Sequence, residues 1–175
     1  MRLVETPIGG AFVIELDRIE DQRGYFARLW CEEVFADHGL KASMVQSNVG
    51  VSTKAGTLRG LHLQVAPHAE IKVVRCPRGA VYDVIVDLRA DSPSYLRWFG
   101  AELSAGNGRS IYVPEGCAQG YLTLEDDSEI YYHTSDFYHP ESATGVRYDD
   151  PAFGIEWPRG IEVISEQDRK WPMHG

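Results

Sequence analysis

The chain has 175 residues, of which 43% are hydrophobic and 25% charged, a composition typical of one soluble globular domain spanning residues 1–175. It carries 17 basic against 26 acidic residues, and the net charge of −9 disfavours a general nucleic-acid binder, which is normally basic. The sequence contains no signal-peptide pattern, no membrane-length apolar run and no zinc-type cysteine spacing, so we expect a cytoplasmic protein without a membrane or nucleic-acid partner.

The predicted elements are nearly all strands. One short helix is expected at residues 31–39, where Gly39 provides a C-terminal stop. The remaining apolar runs are short and separated by Gly, Pro, Asn and Asp, which predicts strands at 11–16, 24–30, 43–49, 57–64, 71–76, 80–88, 98–103, 110–113, 119–124 and 128–134. About ten strands with little helix indicate an all-β sandwich or barrel. The turn-rich last forty residues are expected to form an irregular tail over it.

The strand predicted at 80–88 has two acidic residues on one face. Because successive side chains of a strand point to opposite faces, Asp83 and Asp87 share a face with Val81 and Ile85. This mixture is consistent with a polar-lined internal cavity. It is equally consistent with an outward, solvated face, and the strand alone does not decide between them.

Two segments have the spacing of cupin motifs but lack their metal ligands. Gly56 and His62 match the G-x5-H opening of the first motif, yet Gln64 stands where the next histidine belongs. Pro114 opens a P-x-G-x-x-H spacing in which Gln119 replaces the histidine. A first-row metal needs about three imidazole or carboxylate ligands. The sequence therefore predicts a cupin-type jelly-roll barrel without a catalytic metal, and the other five histidines are interpreted as surface or structural residues.

Ten segments form an ordered pattern that spans roughly residues 10–170. They are Asp21–Phe26, Gln46–Asn48, Leu58–Gln64, Ile71–Arg75, Asp83–Arg89, Pro114–Gly116, Tyr132–Tyr138, Asp149–Pro151, Trp157–Pro158 and Ile164–Asp168. In this order they resemble the dTDP-4-keto-6-deoxyglucose 3,5-epimerases, also called dTDP-4-dehydrorhamnose 3,5-epimerases. The resemblance implies a cupin-type jelly roll, a homodimer, a nucleotide-diphosphate sugar substrate and no cofactor.

Four residues of the pattern suit the chemistry that this resemblance implies. Epimerising a centre beside a ketone requires a base, a cation or donor near the carbonyl oxygen, and an acid on the opposite face. His62 is the expected base, and the resemblance pairs it with Asp168 as the group that orients the ring. Lys72 is expected to stabilise the enolate oxygen, and Tyr132 is the matched acid.

The resemblance also implies a set of substrate contacts. Arg59 matches a diphosphate contact, which suits the bidentate geometry of a guanidinium. The segment Gln46, Ser47 and Asn48 matches contacts around the nucleoside and phosphates. Arg23 matches a base-side contact that comes from the partner subunit in the family, and Tyr138 matches the aromatic residue that stacks on the base.

The chain departs from the family pattern at four substrate-binding positions. Arg28 replaces a glutamate, Gln119 a histidine, Thr144 an acid and Gln167 a lysine. Arginine can only donate hydrogen bonds, which favours a base with carbonyl-rich edges, such as cytosine or guanine, over thymine. Loss of the imidazole at Gln119 also leaves open that only one of the two sugar centres, C3 or C5, is epimerised.

Two other functions compete with the epimerase interpretation. One is a 3,4-ketoisomerase acting on the same class of keto sugar, against which the retained Tyr132 argues. The other is a non-catalytic module that binds a sugar nucleotide. Binding alone does not require His62, Lys72, Tyr132 and Asp168 together, so their joint presence favours an enzyme.

Overall fold

The computed structural model describes residues 1–174, which form mostly antiparallel strands and two short helices. The strands are β1 (Arg2–Glu5), β2 (Phe12–Glu15), β3 (Ile19–Asp21), β4 (Gly24–Phe26), β5 (Gln46–Ser52), β6 (Thr57–Gln64), β7 (Lys72–Arg78), β8 (Ala80–Asp87), β9 (Trp98–Ser104), β10 (Ser110–Val113), β11 (Cys117–Thr123), β12 (Ser128–Thr134), β13 (Ala143–Gly145) and β14 (Val163–Ile164). The helices are α1 (Glu32–Asp37) and α2 (Glu166–Lys170).

Two sheets face each other in a jelly-roll arrangement, as the sequence predicts. One sheet has the order β1-β2-β10-β7-β12-β5, and the other has the order β13-β6-β11-β8-β9 with β14 added beside β6. Alternating β-branched residues place fully buried side chains between the sheets, including Val74, Ile85, Ile111 and Ile130. Strands β3 and β4 form a separate hairpin that pairs with neither sheet.

Three strands lie where the sequence places them, residue for residue. The predictions at 57–64, 110–113 and 128–134 coincide with β6, β10 and β12. Of the strand predicted at 24–30, only Gly24–Phe26 (β4) forms a strand. The strand predicted at 43–49 begins later, at Gln46, and is β5. The short strands β1, β3, β13 and β14 were not predicted, because two to four residues do not establish an alternating pattern.

The helix predicted at 31–39 is α1, shorter by a residue or two at each end. Phe35 is its buried residue and packs against Tyr112, with ring centroids 5.7 Å apart. Gly39 has φ +68° and donates its N–H to the Ala36 carbonyl, so the expected glycine stop is confirmed. Within residues 1–174, neither helix is long and apolar enough to cross a membrane.

The C-terminal tail is more ordered than predicted. Instead of an irregular segment, it contributes β13 and β14 to the second sheet and ends in α2. Ser165 caps α2 by accepting a hydrogen bond from the Asp168 N–H at 3.0 Å. A five-residue helix shows no periodic apolar pattern, so sequence reasoning had no signal for it.

Candidate active site

An open cavity of about 660 Å³ lies between the two sheets and under the tail. Its volume is in the range usual for small-molecule sites, about 300–1,000 Å³. The polar side chains that line it are Gln46, Asn48, Thr57, Arg59, His62, Gln64, Glu70, Lys72, Gln119, Tyr121, Tyr132, Thr134, Tyr138, Thr144, Ser165, Gln167 and Asp168. All four proton-transfer candidates from the sequence are therefore brought together, although they are up to 106 positions apart.

A bulge in β6 lets two predicted site residues reach the same cavity. Arg59 pairs with Tyr121 of β11, whereas His62 pairs with Gln119, so β6 has one residue more than β11 between these pairs. In a regular strand, residues three apart would point to opposite faces, and the extra residue restores a common face. The bulge lies at Gly60, which has φ +132° and whose added Cβ would come within 2.5 Å of the backbone of β11.

His62 and Asp168 form a close pair. The His62 Nε2 atom is 2.6 Å from Asp168 Oδ1, which also accepts a hydrogen bond from the Trp171 indole at 3.1 Å. The other carboxylate oxygen accepts from the Gly60 N–H at 3.3 Å. The Trp171 ring meets His62 edge-on at 6.0 Å, so the imidazole is fixed by a hydrogen bond and by packing.

The tail positions Asp168 against β6. Strand β14 runs parallel to the start of β6, with Ile164 beside Leu58, and α2 follows after one residue. Asp168 is nearly fully buried, and burial alone would raise its pKa. The hydrogen bonds from His62, Gly60 and Trp171 outweigh this effect and hold the pKa of Asp168 below its ordinary value. The carboxylate is therefore ionised at neutral pH.

Lys72 enters the cavity from the facing sheet, at the start of β7. Its Nζ atom donates to the His62 carbonyl at 3.3 Å and lies 3.6 Å from Glu70 Oε1. Burial lowers the pKa of Lys72, while the nearby carboxyl groups of Glu70 and Asp83 oppose that shift. Lys72 Nζ is thus held close to His62 at the wall of the cavity.

Tyr132 also belongs to the facing sheet. It lies on β12, opposite Val74 of β7 and Asn48 of β5, and shares its inward face with Ile130. Burial raises the pKa of Tyr132, and the charge of Glu70 raises it further, so the phenol is protonated at neutral pH. His62 on one sheet and Tyr132 on the other thus line one cavity from different sides.

Gln119 is hydrogen-bonded to a buried acid. Its Nε2 atom donates to Asp83 Oδ2 at 2.7 Å. Asp83 is fully buried, and burial raises its pKa to about 8 despite the opposing effects of Gln119 and Lys72. Asp87 is also fully buried, bonded to Arg89 and two serines. The solvated-face interpretation of strand 80–88 is therefore wrong.

Several predicted substrate contacts line the mouth of the cavity. Arg59 is exposed there and is anchored by hydrogen bonds to Ser52 Oγ at 3.2 Å and to the Val51 carbonyl at 2.9 Å. The side chain of Gln46 donates to Asn48 at 3.1 Å and accepts from the Tyr138 N–H at 3.3 Å. Tyr138 is largely exposed, which leaves its ring free to meet a flat ligand group.

Three predicted contacts do not line the cavity of the single chain. Ser47 alternates with Gln46 and points to the other face of β5, where its hydroxyl is 2.7 Å from His133 Nδ1. Arg23 lies in the β3–β4 hairpin and is paired with Asp21. Arg28 is exposed beyond that hairpin, with Nη1 3.7 Å from Cys31 Sγ.

Sequence reasoning missed three residues that support the site. Glu70 faces Lys72, and Gln64 donates to Glu70 at 3.2 Å. Trp171 hydrogen-bonds Asp168 through its indole N–H at 3.1 Å. The spacing of these residues in the sequence does not predict the contacts, because they form only when a loop or the tail folds against the strands. The departures Thr144 and Gln167 both line the cavity.

A His–Asp pair, a lysine and a protonated phenol around one cavity define an acid–base enzyme built on a jelly roll. The family model described as dTDP-4-dehydrorhamnose 3,5-epimerase matches residues 5–174. The enzyme of that name from Methanothermobacter thermautotrophicus is 42% identical over 173 residues, which cover 97% of this chain and 92% of the relative. The chain belongs to the dTDP-4-dehydrorhamnose 3,5-epimerase family.

Solved structures agree with this assignment. The structure of dTDP-4-dehydrorhamnose 3,5-epimerase from Bacillus anthracis, with TDP and PPi bound, has a TM-score of 0.94 at 38% identity and covers 99% of each chain. ChmJ from Streptomyces bikiniensis, a 3'-monoepimerase in complex with dTDP-quinovose, has a TM-score of 0.88 at 34% identity, covering 96% of this chain and 85% of that one. The chain thus resembles both double and single epimerases.

Proposed function

We propose that this protein is an isomerase that epimerises C3 and C5 of a nucleotide-linked 4-keto-6-deoxyhexose of the dTDP-4-dehydro-6-deoxyglucose type. The observation that carries the proposal is the placement of His62 and Tyr132 on opposing sheets of one cavity, with Lys72 beside them. A sugar ring bound between the sheets would present one face to each residue.

In the first step His62 removes a proton from the carbon next to the C4 ketone. The C–H electron pair forms a double bond to C4, the carbonyl π pair moves onto its oxygen to give an enolate, and the proton ends on the imidazole. Asp168 stabilises the resulting imidazolium through the 2.6 Å contact with Nε2, which leaves Nδ1 to take the substrate proton. Since Asp168 is ionised and buried, this stabilisation is little screened by water.

Lys72 stabilises the enolate oxygen in the second step. Its ammonium group is almost buried, and a positive charge acts more strongly there than at the surface. Tyr132 then gives its phenolic proton to the same carbon from the opposite face, which inverts the centre. The tyrosinate and the imidazolium afterwards exchange protons with solvent, so that the enzyme returns to its starting state. All groups are side chains of this chain, and no cofactor or metal takes part.

Epimerisation at a single centre is the second candidate. C3 and C5 both flank the C4 ketone, so the same groups can act on each after the sugar shifts in the site. Gln119 stands at the position of a family histidine and its amide is tied to Asp83, so it supplies no titrating group beside the sugar. This observation favours loss of one of the two inversions.

The nucleotide end of the substrate is bound at the cavity mouth. Arg59 contacts the diphosphate, Tyr138 stacks on the base, and Gln46 and Asn48 contact the nucleoside. The base is thymine, as in the substrates for which the relatives are named. Arg28 is exposed outside the cavity of its own chain, two residues beyond the β3–β4 hairpin, and its effect on base preference stays a prediction.

The active form is a homodimer. The β3–β4 hairpin pairs with neither sheet, and its cross-strand residues Ile19 and Phe26 are 69% and 72% exposed. Apolar side chains at that exposure are typical of an interface. A second copy would cover the hairpin and bring Arg23 to the base of the partner's substrate.

The cysteines Cys31, Cys76 and Cys117 are free thiols, which is consistent with an enzyme that acts in the reducing cytoplasm.

Turnover in D2O tests the reaction and its regiochemistry together. The protein is incubated with dTDP-4-dehydro-6-deoxyglucose, and deuterium at C3 and C5 is measured by NMR together with the configuration of the product. Deuterium and inversion at both carbons are expected. Inversion at C3 alone would establish the single-centre alternative, and the absence of deuterium at both positions would refute the proposed function.

A further inference from the structure

A second cluster of chemically active side chains lies outside the catalytic cavity. His68 belongs to the loop between β6 and β7, while Asp136 and His139 follow β12. One imidazole nitrogen from each histidine and a carboxylate oxygen of the aspartate lie within 4.8 Å of one another. None of these three side chains lines the cavity, and the proposed reaction uses none of them.

The two imidazoles are arranged face to face. Their ring centroids are 3.4 Å apart and their planes differ by 8°. His68 Nδ1 is 3.2 Å from Asp136 Oδ2, and His139 Nδ1 is 3.3 Å from Glu141 Oε1. Two stacked imidazolium ions would repel each other, whereas neutral rings offer lone pairs. Two carboxylates beside these rings make the cluster attractive to a dication.

Gln64 holds the backbones of both histidines in place. Its side-chain amide donates to the His68 carbonyl at 3.1 Å, and its Oε1 accepts from the His139 N–H at 2.6 Å. Gln64 is almost completely buried. The two loops that carry the histidines are thus joined by one fixed side chain, which organises the cluster before any ligand arrives.

Asp136 is fixed in a similar way. Its Oδ1 atom accepts the Phe137 N–H at 2.8 Å, and its carbonyl accepts the Thr134 hydroxyl at 2.8 Å. These bonds set the side-chain direction and leave Oδ2 turned toward His68. Outer contacts of this kind orient metal ligands in known sites.

We propose that His68, Asp136 and His139 bind one divalent transition-metal ion of the Zn²⁺, Co²⁺ or Ni²⁺ class. Bonds from such ions to imidazole or carboxylate are about 2.0–2.2 Å long and lie in the plane of an imidazole ring, so the two rings must turn out of their stacked arrangement to bring all three ligand atoms to one ion. Glu141 or water completes the coordination. Two imidazoles among three ligands disfavour Mg²⁺ and Ca²⁺, which prefer oxygen.

The ion would tie the loop before β7 to the segment after β12. That segment contains Tyr138, so the ion would also restrict the aromatic residue at the cavity mouth. The metal site stands independently of the proposed function, because its ligands are not the proton-transfer groups. Removing the ion by chelation is therefore expected to leave the epimerisation chemistry in place.

Calorimetric titration with Ni²⁺ tests the site, using the full chain without a histidine tag. We expect one ion per chain and at least ~10-fold weaker binding by His139→Ala, which removes one of three ligands. Asp136→Asn should weaken binding similarly without removing a ring. His38→Ala is the matched control, because His38 is an exposed histidine on α1's C-terminal side, bonded to the Val34 carbonyl, and its loss should change nothing.

Three results would overturn the proposal. One is no Ni²⁺ binding at concentrations up to about 100 µM. Another is equal affinity in the unaltered chain, His139→Ala and Asp136→Asn, and the third is loss of binding in the His38→Ala control. Thermal melts of each variant without metal establish that it is folded. Because the titration contains no sugar nucleotide, a failed metal site and a failed epimerase assay are distinguishable.

Discussion

The charge state of Lys72 depends on its neighbour Glu70, 3.6 Å away. Burial lowers the pKa of Lys72, and the Glu70 carboxylate acts in the opposite direction by favouring the charged ammonium. The same carboxylate raises the pKa of Tyr132. One side chain therefore favours the protonated forms of both Lys72 and Tyr132, the proposed enolate-stabilising cation and phenolic acid.

Replacing this carboxylate should move the alkaline limit of activity. In Glu70→Gln the pKa values of Lys72 and Tyr132 both fall, so each loses its proton at a lower pH than in the unaltered enzyme. We expect the alkaline limb of the kcat profile to shift to lower pH, with KM at neutral pH little changed. Glu33→Gln, which removes an exposed carboxylate from α1, is the control. An unshifted limb in Glu70→Gln would contradict this role.

Strand β13 fixes the His–Asp pair through a close approach. Gly145 pairs with His62, and a Cβ on Gly145 would come within 2.6 Å of the Leu61 carbonyl and of the Trp171 ring. Trp171 donates to Asp168, so pushing the indole away also disturbs the carboxylate that orients His62. The packing of the tail against β6 therefore requires a glycine at position 145.

Gly145→Ala should accordingly damage both stability and catalysis. Crowding of this kind typically costs about 1–3 kcal/mol of unfolding free energy. We expect kcat to fall more than affinity for the substrate, because the change reaches Asp168 and not the cavity mouth. Gly160→Ala in the same tail is the control, since a Cβ there meets nothing within 4 Å. Denaturant unfolding and steady-state kinetics measure the two effects, and a fully active Gly145→Ala enzyme would refute the argument.

The sequence predicts elements best where a strand is long and bounded by turn-forming residues. β6 and β12 were located to the residue because each is a run of seven or eight residues that follows a Gly- or Asp-containing turn. α2 and β14 were missed because five and two residues contain no period. The proposed proton-transfer residues were selected through a family resemblance. Glu70 and Trp171 were not, because their contacts exist only after the loop and the tail fold against β6 and β7.

The exposed surface of the β3–β4 hairpin is the basis of our prediction that the protein forms a homodimer. It exposes Ile19 and Phe26 on its cross-strand pair and carries Arg23 outside the cavity of its own chain. Charging this surface should break the proposed dimer. We expect Phe26→Asp to be monomeric by light scattering at micromolar concentration, and its affinity for dTDP to fall because Arg23 no longer reaches the partner.

Met173→Asp is the control for this experiment, since Met173 is an apolar residue of 48% exposure at the other end of the chain. It should remain dimeric. A monomeric unaltered protein, or a Phe26→Asp variant that is still dimeric, would contradict the proposed interface.

The central claim is that two residues on opposing sheets transfer protons on opposite faces of one enolate. Solvent deuterium exchange and inversion, measured together by NMR in D2O, separate their roles most directly. His62→Ala should abolish both, because no enolate forms. Tyr132→Phe should lose inversion by about 10²–10⁴-fold while retaining exchange without inversion, because the enolate can still recover a proton on its original face. Equal loss of exchange in both variants would contradict the account.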